Sequence, residues 1–356
     1  MNRAAMIALA PMSGLYGLAM KTRRAFYRKG ILATHELDAP VISVGNLTTG
    51  GTGKTPLIEW IARELAKRER RVCILTRGYG RTNERSRTVV SDGKKILSTP
   101  DLAGDEPFLL AEQLLNKAAV ISDADREAAA HWAVDNLKSN VFLLDDGFQN
   151  LSIARSLDIV TIDARDPWGN RWLLPAGRLR EPVAELARAD CIVITRADEN
   201  NQNEELQREV AMFTDKPVLV SRMIESNVRP AQTPAVENLQ RLPNEQIRVT
   251  AVAAFCGIGN ARAFFYQLRA HGYNLVYTEA FRDHHIYKQT EINRLSRESI
   301  AKGAKILLTT AKDEVKLRPL HFELPYYVVD ISIEIDDDYR LNEMIDSALR
   351  DGLDRT

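Results

Sequence analysis

The apolar positions of this chain fall into short unbroken runs separated by stretches with helical spacing. Runs rich in Val, Ile and Leu occupy 41–44, 72–76, 119–122, 140–145, 158–163, 190–195 and 217–221. Between them, near 56–69, 106–117, 125–138 and 203–213, apolar residues recur every three or four positions. Unbroken apolar runs of about four to eight residues read as strands buried on both faces. Their alternation with helices predicts a mainly parallel sheet covered on both sides. The pattern lapses at 224–247, a polar stretch with Pro230, Pro234 and Pro243 that reads as a linker. A second set follows, with strands expected at 248–256, 275–278, 305–309 and 326–331 and helices at 260–271 and 289–302. The predicted organisation is an N-terminal segment over 1–30, a larger α/β domain over 31–223 and a smaller one over 248–356. A length of 356 residues suits two domains at ~100–200 residues each.

The N-terminal segment breaks the pattern. Residues 4–20 carry no charge but contain Pro11, Gly14 and Gly17, and the run falls just short of the ~20 apolar residues a spanning helix needs. The apolar stretch ends at a proline, and most of the basic residues (Lys21, Arg23, Arg24, Arg28, Lys29) come after it, which argues against a signal peptide. Two readings stay open: a segment lying in a membrane interface that faces anionic lipid, or a helix packed on the domain with a solvated basic end. Elsewhere charge is balanced, 48 basic residues against 48 acidic, so bulk charge recruits no nucleic acid. Cys73, Cys191 and Cys256 lie far apart, which argues against a disulfide framework or a structural zinc.

The strand at 41–44 leads into Gly45-Asn-Leu-Thr-Thr-Gly-Gly-Thr-Gly-Lys54-Thr55 and then a helix, the context a phosphate-binding loop requires. Thr48, Thr49, Gly50, Gly51, Thr52 and Gly53 would wrap phosphate oxygens, Lys54 would reach the β/γ-phosphates, and Thr55 would offer its hydroxyl to Mg²⁺. The loop departs from the usual pattern at Thr48, where the first glycine stands elsewhere. The strand at 140–145 ends in Asp145 and Asp146, carboxylates placed to bind Mg²⁺ beside that loop, one of them free to act on water or a hydroxyl. A solvated Asp-Asp-Gly turn is the plainer alternative.

Further polar residues follow other strands. Arg77, Tyr79 and Arg81, spaced by glycines, suit an anionic ligand. Asp105 and Glu106 precede a helix, where acids are favoured by the dipole alone. The Pro- and Gly-rich run 173–182 reads as a substrate loop carrying Arg178, Arg180 and Glu181. In the second domain Asp283, His284 and His285 supply an imidazole with a carboxylate to orient it, and Lys312 and Asp313 follow the next strand.

Together these motifs resemble the tetraacyldisaccharide 4'-kinase family. The resemblance rests on Ser43 through Pro56, Arg77-Gly-Tyr-Gly-Arg81, Gly104-Asp-Glu-Pro107, Asp145-Asp-Gly-Phe-Gln149, Leu173-Leu-Pro-Ala-Gly177 with Leu179-Arg-Glu-Pro182, Asp283-His-His285 and the run from Thr309 to Leu317, in that order. It implies two α/β/α sandwich domains, the first a P-loop NTPase-like, mainly parallel sheet, with catalysis between them and an N-terminal membrane-docking helix. It further implies ATP- and Mg²⁺-dependent phosphorylation of the 4'-hydroxyl of a tetraacylated glucosamine disaccharide 1-phosphate. The expected location is the cytoplasmic face of the bacterial inner membrane, monotopic on its anionic surface, with no nucleic acid and no obligate protein partner. Carried over, Asp105 and His284 form the catalytic pair, His284 taking the hydroxyl proton, while Asp145 and Asp146 serve the metal. Asn150 stands where the family commonly has histidine, Thr49 where it usually has a hydrophobic residue, and Ala311 where it has glutamate. The rival reading is a P-loop NTPase switch or delivery protein with no lipid substrate.

Overall fold

A computed structural model describes residues 3–197, 202–231 and 242–351. They fall into two compact units, Met1–Met223 with Ile333–Thr356, and Ile224–Ser332. The first unit runs through α1 (Arg3–Arg28), β1 (Val41–Asn46), α2 (Lys54–Lys67), β2 (Val72–Thr76), β3 (Thr88–Ser91), α3 (Pro100–Ala103), α4 (Asp105–Gln113), β4 (Ala118–Ser122), α5 (Arg126–Leu137), β5 (Val141–Asp145), β6 (Leu157–Asp163), β7 (Cys191–Thr195), α6 (Gln202–Ala211) and the first part of β8 (Val218–Pro230). The second holds the rest of β8, α7 (Asn244–Val249), β9 (Ala251–Cys256), α8 (Ala261–Ala270), β10 (Asn274–Ala280), α9 (Gln289–Ala301), β11 (Ile306–Thr310), α10 (Ala311–Leu317) and most of β12 (Tyr326–Ile335). Helix α11 (Asp338–Asp351) belongs to the first unit again.

The first unit's strands lie in the order β8-β7-β6-β1-β5-β2-β4-β3, parallel except for β3, which pairs antiparallel to β4. After β5 the chain crosses to the other side of β1, so strand order reverses there. Such a switch point is where open α/β sheets bind ligands, beyond the carboxyl ends of the strands. Both faces are covered. Cys73, Leu75, Ala119, Ile121, Phe142 and Leu144 share one core with α5 through Ala129, Ala130 and Ala133, and the intervening Ile74, Val120 and Leu143 are equally buried. The second unit carries the parallel order β10-β9-β11-β12 around a core of Val252, Ala254, Phe264, Leu268, Leu308 and Tyr327.

The structure departs from the sequence expectation in three places. The expected linker 224–247 begins as the second part of β8 and ends in α7, with 232–241, including Pro234, outside the described residues. Polar residues such as Arg222, Glu225 and Ser226 disguise that strand. The C-terminal helix joins the first unit instead of the second: Arg68, just past the end of α2, donates to Asp346 Oδ1 at 2.7 Å and Asn342 Oδ1 at 2.8 Å, and Leu341 and Ile345 are fully buried. Strand β3, short and at the edge, was not expected.

Helix α1 continues through Pro11, Gly14 and Gly17. Its inner face mixes polar and small residues with half-buried Met6, Leu9, Tyr16 and Met20. Ser13 Oγ donates to Leu173 O at 2.9 Å and accepts from Ala176 N at 3.0 Å, a Cβ on Gly17 would lie 2.8 Å from Leu173 Cδ1, and Arg24 pairs with Glu185 at 2.7 Å. The outer face leaves Ile7, Met12, Leu15, Leu18 and Phe26 at 40–69% exposure. No described helix is long and apolar enough to cross a membrane.

Candidate active site

The loop joining β1 to α2 is held from outside by its own carbonyl oxygens. Asn46 Nδ2 donates to Thr48 O at 2.7 Å, Arg178 Nη2 to Thr49 O at 2.7 Å, Arg196 Nη1 to Gly51 O at 2.7 Å and Thr195 Oγ1 to Thr52 O at 2.7 Å. Thr52 Oγ1 lies 2.7 Å from Thr161 Oγ1. Gly53 turns the chain into α2 with φ 77°, and Gly45 lets the loop cross Phe148, where a Cβ would sit 2.5 Å from Phe148 Cβ. Neither position accepts a side chain without strain.

Lys54, the first residue of α2, reaches Asn46 Oδ1 at 3.2 Å and Asp146 Oδ1 at 3.3 Å. Register places Asp145 at the tip of β5 beside Val44 of β1, and Thr76 at the end of β2 donates to Asp145 Oδ2 at 2.9 Å. The two acids are in different electrostatic states. Burial pushes Asp145 up to about 6, with Lys54 and Thr76 only partly offsetting it. Burial opposes the charge on Asp146 too, but Lys54 and Arg180 outweigh it and hold that carboxyl below its usual range. Arg180 Nη1 donates to Asp146 Oδ2 at 2.6 Å. Asp146 itself has φ 56°, so its side chain leaves the strand direction.

The other expected contacts divide. Arg180 joins the acids, and Arg77 and Tyr79 are exposed, Tyr79 at 80%. Arg81 is not presented to a ligand: it is buried, and its guanidinium donates to Thr88 Oγ1, Ser122 O and Glu84 O at 2.8–3.1 Å. Arg178 clamps Thr49 O and pairs with Asp166. Glu181 is buried against Arg188 at 2.6 Å and Arg24 at 3.6 Å, which ties α1 to the unit. Asp105 opens α4 after Gly104 (φ 91°), with Glu106 beside it close enough to act on Asp145. Thr55 is half-buried in the first turn of α2. Asn150 Oδ1 accepts from Ser152 N at 3.1 Å and lies 2.7 Å from Ser152 Oγ, a local turn.

No motif pointed to Arg126 or Arg196. Arg126 starts α5; burial lowers its pKa, while Asp145, Asp146 and Asp123 raise it and Arg77 lowers it further, which places it in this cluster. Its one signal was its position just after a strand.

In the second unit the two histidines separate. His285 Nε2 lies 3.1 Å from Glu291 Oε2, with its ring stacked on Phe281 at 4.8 Å. His284 is exposed, has φ 57°, donates its amide to Gly257 O at 3.2 Å and places Nε2 3.3 Å from Lys312 Nζ. Among the described residues no group of three or more His, Cys, Asp and Glu forms a metal cluster.

A family model described as tetraacyldisaccharide-1-P 4'-kinase matches residues 5–350. The chain belongs to the tetraacyldisaccharide-1-P 4'-kinase family. It is 38% identical over 353 residues to the tetraacyldisaccharide 4'-kinase of Geobacter metallireducens, covering 98% of this chain and 100% of that one. It is 38% identical over 334 residues to that of Pelobacter propionicus, covering 94% and 89%. Among solved structures it is similar to LpxK from Aquifex aeolicus in complex with ATP, at 31% identity and a TM-score of 0.77, covering 97% of this chain and 99% of that one. The tetraacyldisaccharide-1-P 4'-kinase match spans both units.

Proposed function

We propose that this protein transfers the γ-phosphate of ATP to the 4'-hydroxyl of a tetraacyldisaccharide 1-phosphate. The observation that carries the reading is Lys54, held between Asn46 Oδ1 and Asp146 at the ends of β1 and β5, in a chain of this family. Glycine-rich loops present amide N–H groups to phosphate oxygens, and here four loop carbonyls are fastened outward. Thr48 to Thr55 would hold the ATP phosphates, and the Lys54 ammonium would balance charge that builds on the transferring group. Family membership disfavours a nucleotide switch or delivery protein.

Thr55, Asp145 and Asp146 would supply oxygen donors, which suit a hard cation such as Mg²⁺. Asp146 Oδ1 is buried and faces the Lys54 ammonium at 3.3 Å, and its carboxyl is held below its usual range, which keeps it in the charged form a cation ligand needs. The ion, when bound, supplies further positive charge at the phosphates. His284 would take the proton of the 4'-hydroxyl as that oxygen bonds to the γ-phosphorus, and the bond to the β-phosphate oxygen breaks to release ADP. Asp105 would orient and stabilise the imidazolium. The two lie in different units, and their pairing is proposed on chemistry. Arg77, Tyr79 and Arg126 are the proposed contacts to the anionic substrate.

The outer face of α1, with Lys21, Arg28 and Lys29 exposed beside it, suits an anionic bilayer surface at the cytoplasmic face of the inner membrane. The deciding assay is γ-phosphate transfer from ATP to purified tetraacyldisaccharide 1-phosphate. Absence of transfer alongside undiminished ATP hydrolysis overturns the reading.

A further inference from the structure

Asp313 has no part in the scheme above, yet its carboxylate is fully buried in the second unit. It begins as a helix-start residue. Thr310 caps α10, its hydroxyl accepting from Asp313 N at 3.2 Å and donating to Asp313 Oδ2 at 2.6 Å. One oxygen is thus used locally. The other leaves the helix: Oδ1 accepts from Gly257 N at 3.0 Å and from Tyr287 OH at 2.8 Å.

Those two donors flank the histidine turn. Gly257 follows β9, and its carbonyl accepts the His284 amide at 3.2 Å, so the carboxylate reaches His284 through one residue. Tyr287 lies three residues past His284, with its ring edge-on to Phe281 at 5.0 Å and to Phe255 at 6.0 Å. A Cβ on Gly257 would lie 2.9 Å from Tyr287 OH and 3.1 Å from Asp313 Oδ1, so only glycine admits this approach. His284 has φ 57°, a conformation disfavoured for a residue with a side chain, which the surrounding contacts must hold in place. The preceding residue of α10 completes the arrangement, with Lys312 Nζ 3.3 Å from His284 Nε2 and 3.7 Å from Asp283 Oδ1.

We propose that Asp313 is a positioning residue for His284, its carboxylate fixing both flanks of the 281–287 turn and so the direction in which the imidazole is presented. The proposal rests on the reading of His284 as the general base. Burial and the neighbouring carboxylate push the Tyr287 phenol far up, so it stays protonated and acts as the donor.

The test uses the full-length enzyme. Asp313→Ala removes the strut, Asp313→Asn restores one acceptor oxygen, and Tyr287→Phe deletes one hydrogen bond while keeping the ring packing. Misplacement of a catalytic group by about 1 Å costs on the order of 10²-fold, so kcat should fall about that far in Asp313→Ala and about tenfold in Tyr287→Phe. Asp313→Asn should recover much of the loss, with KM for ATP unchanged throughout. In a His284→Ala background the same substitutions should cost nothing further, because groups that act through one residue are not additive. Losses that persist in that background, or wild-type kcat in both Asp313→Ala and Tyr287→Phe, overturn the proposal. The histidine Cε1–H resonances of a chain with six histidines are resolvable, and the signal that His284→Ala deletes should shift in Tyr287→Phe; an unmoved signal also overturns it. A fully active His284→Ala would instead remove the general-base reading, while the resonance still reports whether Asp313 sets the turn.

Discussion

Replacing Leu15 and Leu18 together by glutamine tests whether the outer face of α1 binds a bilayer. The two side chains are 69% and 61% exposed, so about two-thirds of each remains available for burial. Complete burial of a leucine side chain is worth ~1.5–3 kcal/mol, which leaves ~1–2 kcal/mol for each and ~2–4 kcal/mol for the pair. At tenfold per ~1.4 kcal/mol the double variant should partition onto vesicles ~30- to 700-fold less well than the parent. Glutamine is nearly as good a helix former as leucine, and the contacts that dock α1 run through Ser13, Gly17 and Arg24, so thermal stability should hardly change. Co-sedimentation with vesicles of mixed zwitterionic and anionic lipid measures the partition. Raised salt should weaken the parent as well, since each basic residue near an anionic surface adds ~1 kcal/mol that screening removes. A double variant that binds within twofold of the parent would show that this face does not bury in lipid.

Lys54→Met should lower phosphoryl transfer by ~10²–10³-fold, the usual cost of losing one charge-stabilising donor, in a radiolabelled-ATP assay; retention of a third of the activity would refute its role. Gly45→Ala drives a Cβ to 2.5 Å from Phe148 Cβ and 2.6 Å from its amide nitrogen, so calorimetry should show a loss of ~1–3 kcal/mol from overpacking. An unchanged transition would mean that the loop and Phe148 are not in contact. Asn150→Ala should cost ~1 kcal/mol through the lost Ser152 turn and leave kcat intact; a fall in kcat with unchanged stability would return a catalytic role to that position.

What could be read from the sequence follows from which contacts are local. The loop from Thr48 to Thr55 and the acids at 145 and 146 were legible because strand, turn and helix place them through neighbours in the chain. The targets of the arginines were not. A guanidinium is placed by whatever oxygen the tertiary fold brings near, and Arg77, Arg81, Arg178 and Arg180 look alike in sequence. In the structure Arg77 is exposed, Arg81 is consumed by Ser122 and Glu84 carbonyls, Arg178 fastens Thr49, and Arg180 sets Asp146. Arg196 clamps Gly51 from a position with no motif around it. Asp313 was visible only as an acid after a strand, because its burial depends on Gly257 and Tyr287, 56 and 26 residues away.

The two readings of the N-terminal segment, which exclude each other in sequence, are compatible in this fold. A packed helix and an interfacial helix were alternatives because hydrophobic periodicity normally points inward. Here large apolar residues lie on both sides of the helix. The docked side uses a serine hydroxyl, a glycine and an arginine–glutamate pair together with half-buried Met6, Leu9, Tyr16 and Met20, while Ile7, Met12, Leu15, Leu18 and Phe26 stay exposed on the open side. An open groove of about 530 Å³ bounded by Leu15, Leu18, Phe26 and Leu32 runs along that side. Contiguous apolar patches on a water-facing surface mark interaction sites. A helix docked through one face leaves the other available without loosening from the unit that holds Lys54, as the proposed contact with a bilayer would require.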